Sequence, residues 1–242
     1  IFSFKQKIKG SSLIVNLNDF SASGSTVSKS LIKVNDGVQL STIRFQPKDR
    51  SLSQPIVFIP GWGSLIDGWK NVLKKMTEKS EVYYIETREK SSALHTKEGY
   101  LDINSLANDI PYILKHYNLI DKEYILLGSS LGATVILDAM SRNILKPSLA
   151  VLVGPNAEFN APRYWIWIAL ITPPFFYYLI KPIIKWYMKK KYLDMRSDPL
   201  QYEKYCKALD AANPSRLRRA ALNFSKYKVW DKLDKIHNEV LI

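Results

Sequence analysis

The stretch Tyr124-Ile125-Leu126-Leu127-Gly128-Ser129-Ser130-Leu131-Gly132-Ala133-Thr134-Val135-Ile136-Leu137 carries the clearest chemistry in the chain. An apolar strand runs into Gly-x-Ser-x-Gly and then into an apolar helix. That is the order of a nucleophile elbow, in which a serine is held out above a sheet on a tight turn. Ser130 is therefore the candidate nucleophile. Gly128 and Gly132 lack a Cβ, so strand and helix can pass closely while the turn residue takes a strained backbone angle. A helix starting just after Ser130 aims its unpaired N–H groups and positive dipole end at any oxyanion formed there. The plain alternative is a glycine-rich strand–helix turn with no chemistry.

A serine hydroxyl needs a base, and the chain has three histidines, His95, His116 and His237. His95 falls in a polar stretch and is expected to be solvated. His116 falls on a helix, on its exposed side. His237 precedes the last strand, at its N-terminal end, whereas Ser130 sits at a strand's C-terminal end, so His237 is expected on the wrong face of the sheet. No cluster of His, Cys or carboxylates has ligand spacing, so neither a metal nor an organic cofactor is expected.

These groups must be positioned by a sheet. Leu31 to Val34, the turn Asn35-Asp36-Gly37, and Val38 to Phe45 read as a β-hairpin, with Asp-Gly supplying positive φ angles. Pro55 to Ile59 is a continuous apolar strand ending in Pro60-Gly61-Trp62-Gly63-Ser64, and helical spacing follows over 66–79. Glu81 to Ile85 is a strand, 86–100 a polar loop, and about 102–118 a helix that Pro111 should kink or delay to near Asn108. Leu149 to Val153 is another strand. Strand and helix alternate at the spacing of a parallel sheet. Asp198-Pro199 and Asn213-Pro214 each start a helix, and Asn238 to Ile242 reads as a last strand. Residues 1–30, including Leu13-Ile14-Val15, receive no assigned structure.

At 242 residues there is room for one α/β unit with an insertion. Cys206 is the one cysteine, which excludes an internal disulfide framework and fits a reducing, cytoplasmic setting. Net charge is +13, concentrated over 160–235, where 16 Lys/Arg face 6 Asp/Glu. Such a balance suits nucleic acid, an anionic membrane surface or an acidic substrate. No nucleic-acid-binding motif accompanies it, so nucleic acid is not expected as a partner.

The Asp-Gly hairpin, the strand into Pro60-Gly61-Trp62-Gly63, the Gly128-Ser129-Ser130-Leu131-Gly132 elbow, the later helical segment and the Ile236…Val240-Leu241-Ile242 run together resemble the α/β-hydrolase family over about 31–242. The resemblance implies an α/β fold with a mostly parallel, doubly wound sheet and a helical cap insertion. It divides the chain into an N-terminal extension (1–30), a core (31–159), a cap (160–235) and a core strand (236–242). It further implies that the Trp62 and Leu131 backbone N–H groups hold the oxyanion, with the Trp62 side chain a pocket wall. Glu158 stands where some hydrolases place their acid. The chain departs from the family's pattern at Ser129, at Ala133 and over Glu86-Thr87-Arg88-Glu89-Lys90. In the family the acid follows the strand that ends here at Ile242 and the histidine follows the next strand. Together with Ile1 in place of Met, this leads to the expectation of a longer natural protein.

Tyr164 to Ile180 is 17 residues without a charge and rich in aromatics. Three readings stand open: a membrane-spanning helix, for which 17 residues broken by Pro173-Pro174 fall short of about 20; a cap lining an acyl pocket with Trp165, Trp167, Phe175 and Phe176; or a cap that also rests on a membrane, given Lys189-Lys190-Lys191. Two functions stay open as well. One is a serine hydrolase cleaving a lipid-like carboxylic ester, and the other is a non-catalytic binding protein on the same fold.

Overall fold

A computed structural model of the chain describes residues 16–96, 99–160, 163–192 and 199–242. The run Leu13-Ile14-Val15 and the cap residue Asp198 lie outside these. Strands β1 (Thr26–Lys33) and β2 (Val38–Gln46) form an antiparallel hairpin with Thr26 opposite Gln46. Its turn has φ +57° at Asp36 and +69° at Gly37, the left-handed geometry that Asp-Gly favours. The hairpin begins at Thr26, inside the segment left unassigned from sequence, and a short 3-10 turn over Leu17–Phe20 buries Phe20 ahead of it.

The remaining strands are β3 (Ile56–Ile59), β4 (Val82–Ile85), β5 (Leu94–His95), β6 (Ile125–Ser129), β7 (Leu149–Val153) and β8 (Val240–Leu241). The sheet runs β1-β2-β4-β3-β6-β7-β8, with β5 added to β2. From β4 through β3, β6 and β7 to β8 every pairing is parallel, and β2 joins β4 antiparallel. Alternation sorts the side chains. Val57, Ile59, Tyr83 and Ile85 enter one core, while Phe58, Val82 and Tyr84 enter the other. Helices α2 (Ile103–His116) and α3 (Leu131–Ser141) fill the first core, and Leu73 of α1 (Lys70–Met76) fills the second. Each fully buried apolar side chain of this size contributes about 1.5–3 kcal/mol.

Helix α2 begins at Ile103 and runs through Pro111, rather than starting near Asn108. The Asp102 carboxylate accepts the Ser105 N–H at 2.8 Å, and Leu106, Ile110 and Ile113 bury one face. Cap and packing together outweigh the hydrogen bond that proline removes.

Between β7 and β8 lie α4 (Arg163–Ile171), α5 (Phe176–Tyr187), a π-helical turn over Met188–Tyr192, α6 (Pro199–Ala211), α7 (Pro214–Phe224) and a 3-10 stretch over Trp230–Lys235. The uncharged aromatic run is thus two helices, broken at Pro173-Pro174. No helix among the described residues is long and apolar enough to cross a membrane. Where this segment rejoins the sheet, Glu158 bridges Lys228 and the Val229 N–H donates to the Ala157 carbonyl at 3.0 Å. The Asn213 side chain accepts the Arg216 N–H at 3.1 Å, with Pro214 in the first turn of α7, as its sequence predicts.

Candidate active site

Strand β6 ends at Ser129 and α3 starts at Leu131, so Ser130 alone makes the turn, with φ +49° and ψ −113°. The Ser130 N–H donates to the Val153 carbonyl at the end of β7 (2.8 Å), and its carbonyl accepts from the Thr134 N–H and hydroxyl. The backbone is therefore gripped on both sides while the side chain is exposed. A Cβ on Gly132 would stand 1.9 Å from the Ile59 carbonyl oxygen, and one on Gly128 would stand 2.6 Å from the Ala133 nitrogen. Both glycines are thus required by close backbone approach.

The loop after β3 lies against this turn, because a Cβ on Gly61 would meet the Ser130 Cβ at 3.4 Å. Among the described residues neither the Trp62 nor the Leu131 backbone N–H has a hydrogen-bond partner. Several bonds brace the loop. Ser64 N–H donates to the Gly61 carbonyl (3.1 Å), Trp69 Nε1–H donates to Ser64 Oγ (2.7 Å), and Lys90 Nζ donates to the Ser64 carbonyl (2.7 Å). The Trp62 ring packs edge-on against buried Phe224 of α7, centroids 5.4 Å apart.

The expected polar loop is present from residue 86 to β5, but its charged stretch is not solvated. Thr87, Arg88, Glu89 and Lys90 are all buried. Arg88 forms a two-pronged ion pair with Asp109 of α2 and also reaches Asp36 at 3.1 Å and the Tyr100 carbonyl at 2.9 Å. Burial pushes the Asp109 carboxyl up to about 6, against the opposing pull of Arg88. Burial likewise pulls the Lys90 ammonium below its ordinary value, with Glu86 and Glu89 acting the other way. From α7, Arg216 donates to the carbonyls of Lys90 (2.6 Å) and Ala93 (2.9 Å). Arg218 donates to those of Ala169 and Leu170, and Arg219 to that of Gly99. Three charges counted from sequence toward an anion-binding patch therefore bond backbone carbonyls within the chain.

A cavity of about 670 Å³ opens over Ser130. Its apolar wall includes Trp62, Leu65, Trp69, Met188, Leu209 and Leu217, and its charged lining residues are Asp67, Lys204 and Lys207. Three of the four aromatic side chains expected there are elsewhere. Trp167 and Phe175 are 66% and 60% exposed, Phe176 is exposed too, and none of the three lines the cavity. Trp165 belongs to α4, but its side chain lies outside the described residues. Met188 and the α6 residues carried no sequence signal beyond helical spacing. Lys90 and Arg216 carried none at all, since their role depends on contacts distant in sequence.

None of the three histidines lines the cavity. His95 is half-buried in β5, not solvated, with Nε2 2.8 Å from the Arg88 carbonyl. His116 is exposed on α2, and His237 sits with Arg142 near the C-terminal end of α3, away from the elbow. The Glu158 carboxylate accepts from Asn160 Nδ2 and lies 3.7 Å from Lys228 Nζ. Among the described residues no three His, Cys, Asp or Glu side chains gather where they could hold a metal ion.

No protein-family model matches the sequence, and no curated protein matches it. Solved structures do match. A hydrolase from Pseudomonas aeruginosa is 16% identical, with 88% of this chain and 78% of that one covered and a TM-score of 0.68. An enol-lactonase from Burkholderia xenovorans is 13% identical over 88% and 79% of the two chains, with a TM-score of 0.68. A thermophilic esterase from Thermogutta terrifontis is 16% identical over 89% and 78%, with a TM-score of 0.63. The strand order, the elbow and these likenesses agree: the chain has the α/β-hydrolase fold.

Proposed function

We propose that the chain is a serine hydrolase acting on an apolar, lipid-like carboxylic ester, with Ser130 as nucleophile. The observation that carries this reading is the Ser130 backbone. A non-glycine residue at φ +49° and ψ −113° costs about 1–3 kcal/mol, and such strain persists where the surroundings over-determine it. Here it falls on a residue that lines a cavity in the size range of small-molecule sites. The names of the structural neighbours (hydrolase, esterase, lactonase) support hydrolase chemistry in general.

Ser130 Oγ bonds to the ester carbonyl carbon while its proton passes to a base. The resulting oxyanion sits between the Trp62 and Leu131 N–H groups, each worth about 3 kcal/mol at the transition state. The carbon–alkoxy bond then breaks, the alcohol leaves with the proton, and water releases the acid and restores the hydroxyl. The apolar wall of Leu65, Trp69, Met188 and Leu217 suits the acyl chain.

A second reading is favoured by the cavity's lining, which contains no histidine: a non-catalytic protein that uses the same cavity for binding. A fluorophosphonate probe separates the two. Labelling that disappears in Ser130→Ala supports the hydrolase, and no labelling of the full-length protein favours the binding reading. Nitrophenyl esters then test the chain-length claim, because a preference for acetate over octanoate would overturn it.

A further inference from the structure

Helix α5 is built inside out. Its inward face carries Tyr177, Lys181 and Lys185, spaced four residues apart, and these are the groups that tie it to α6. The Tyr177 hydroxyl donates to the Leu209 carbonyl at 2.6 Å, and both lysines pair with Asp210 at 2.8 Å. The opposite face carries Phe176, Leu179, Ile183 and Trp186, at the three- and four-residue steps of a single helical stripe. All four are exposed, Leu179 and Ile183 at 64% and 63%. A globular protein normally arranges such a helix the other way round, apolar face inward.

The stripe is not isolated. Of 26 exposed large hydrophobic residues among those described, 13 fall between Tyr164 and Tyr187, including Trp167 and Ile171 of α4 and Phe175 before α5. Monomeric proteins rarely leave so much apolar surface in one region without a partner. Charge identifies the partner. From Arg163 to Tyr192 there are six Lys/Arg and no Asp/Glu. Lys190 continues the stripe one turn beyond Trp186, its ammonium 5.1 Å from that ring; Lys191 beside it is exposed, and the exposed Lys189 reaches across to the Tyr202 ring at 5.6 Å.

We infer that the outward face of α5 docks on an anionic lipid bilayer. An amphipathic helix with aromatic and aliphatic residues on one side and lysines at its end lies in the plane of the interface. Its apolar face then sinks about 5–10 Å into the headgroup–acyl boundary. Trp186 and Tyr187 suit the headgroup level, and Lys190 and Lys191 meet lipid phosphates and carboxylates, with Lys189 adding its charge from beside Tyr202. This inference is independent of whether Ser130 is catalytic.

The test is flotation of the full chain with vesicles of phosphatidylcholine alone or mixed with phosphatidylserine. Binding to the mixed vesicles only, weakened by high salt, is expected. Replacing Lys189, Lys190 and Lys191 by Gln should weaken it on the order of a hundredfold, at roughly fivefold per lysine. The double variant Leu179→Asp, Ile183→Asp should abolish it. Those side chains face solvent, so circular dichroism should show an unchanged fold. Tyr112→Asp, an exposed aromatic on α2, and Ser130→Ala should float like the parent. The inference is overturned by any of three results: flotation with neither vesicle, retention of binding in the lysine and Asp variants, or sedimentation showing that the same stripe instead pairs two copies of the chain.

Discussion

Gly132 stands so close to Ile59 that a Cβ on it would lie 1.9 Å from the Ile59 carbonyl oxygen. That contact locks the first turn of α3 onto the end of β3 and so sets the elbow against the loop that begins at Pro60. The obstacle is backbone, which cannot swing aside. Gly132→Ala should cost about 3 kcal/mol or more, read as a lower urea midpoint. Gly68→Ala, with nothing within 4 Å of the added methyl, should stay within about 0.5 kcal/mol.

The buried Arg88–Asp109 pair should respond very differently to one change and to two. Arg88→Met alone leaves a buried carboxylate without its cation and should cost about 3–5 kcal/mol. Arg88→Met with Asp109→Leu removes both charges and should recover most of that loss. A urea-melt double-mutant cycle measures the difference, and equal loss in the single and double variants would contradict it.

Strain at Ser130 predicts an opposition between stability and reactivity. Ser130→Gly places a residue tolerant of positive φ in the turn and should raise stability by about 1 kcal/mol. Fluorophosphonate labelling of that variant should vanish. Unchanged or lower stability would remove the argument from strain.

His95 predicts a pH effect. Burial, with Arg216, Arg88 and Arg219 adding to it, lowers its pKa below the ordinary 6.5, against the bond to the Arg88 carbonyl. As pH falls below about 6.5 the unfolded chain takes up a proton that the folded chain resists, so this contribution to stability is lost on acidification. Asp109 acts in the opposite sense between about 4 and 6, where the folded state binds the extra proton. The difference in Tm between the parent and His95→Gln isolates the histidine. It should shift in favour of the variant on going from pH 7 to pH 5.5.

The elbow and the parallel strands were legible because they are local. Period-two and period-four apolar spacing, with glycines where backbones must touch, is written in consecutive residues. The burial of Arg88 and Lys90 was not, because their charged groups bond Asp109, Asp36 and the Ser64 carbonyl, far away in sequence. Aromatic content marked 164–180 as needing cover but gave no direction, and Trp167 and Phe175 are exposed without lining the cavity. The overlooked signal was the run Tyr177, Lys181, Lys185, whose four-residue spacing marks a polar face that must itself find partners.

Arg216, Lys90 and Ser64 form one unbroken line from α7 to the loop beside Ser130. Lifting α7 would release two carbonyl bonds on residues 90–93 and drag on the Trp62 ring through Phe224. The helix is thus tied to the Gly61–Ser64 loop from two sides, through the Arg216 and Lys90 bonds and through the Phe224–Trp62 contact, so its seat and the floor beside the serine are one bonded unit.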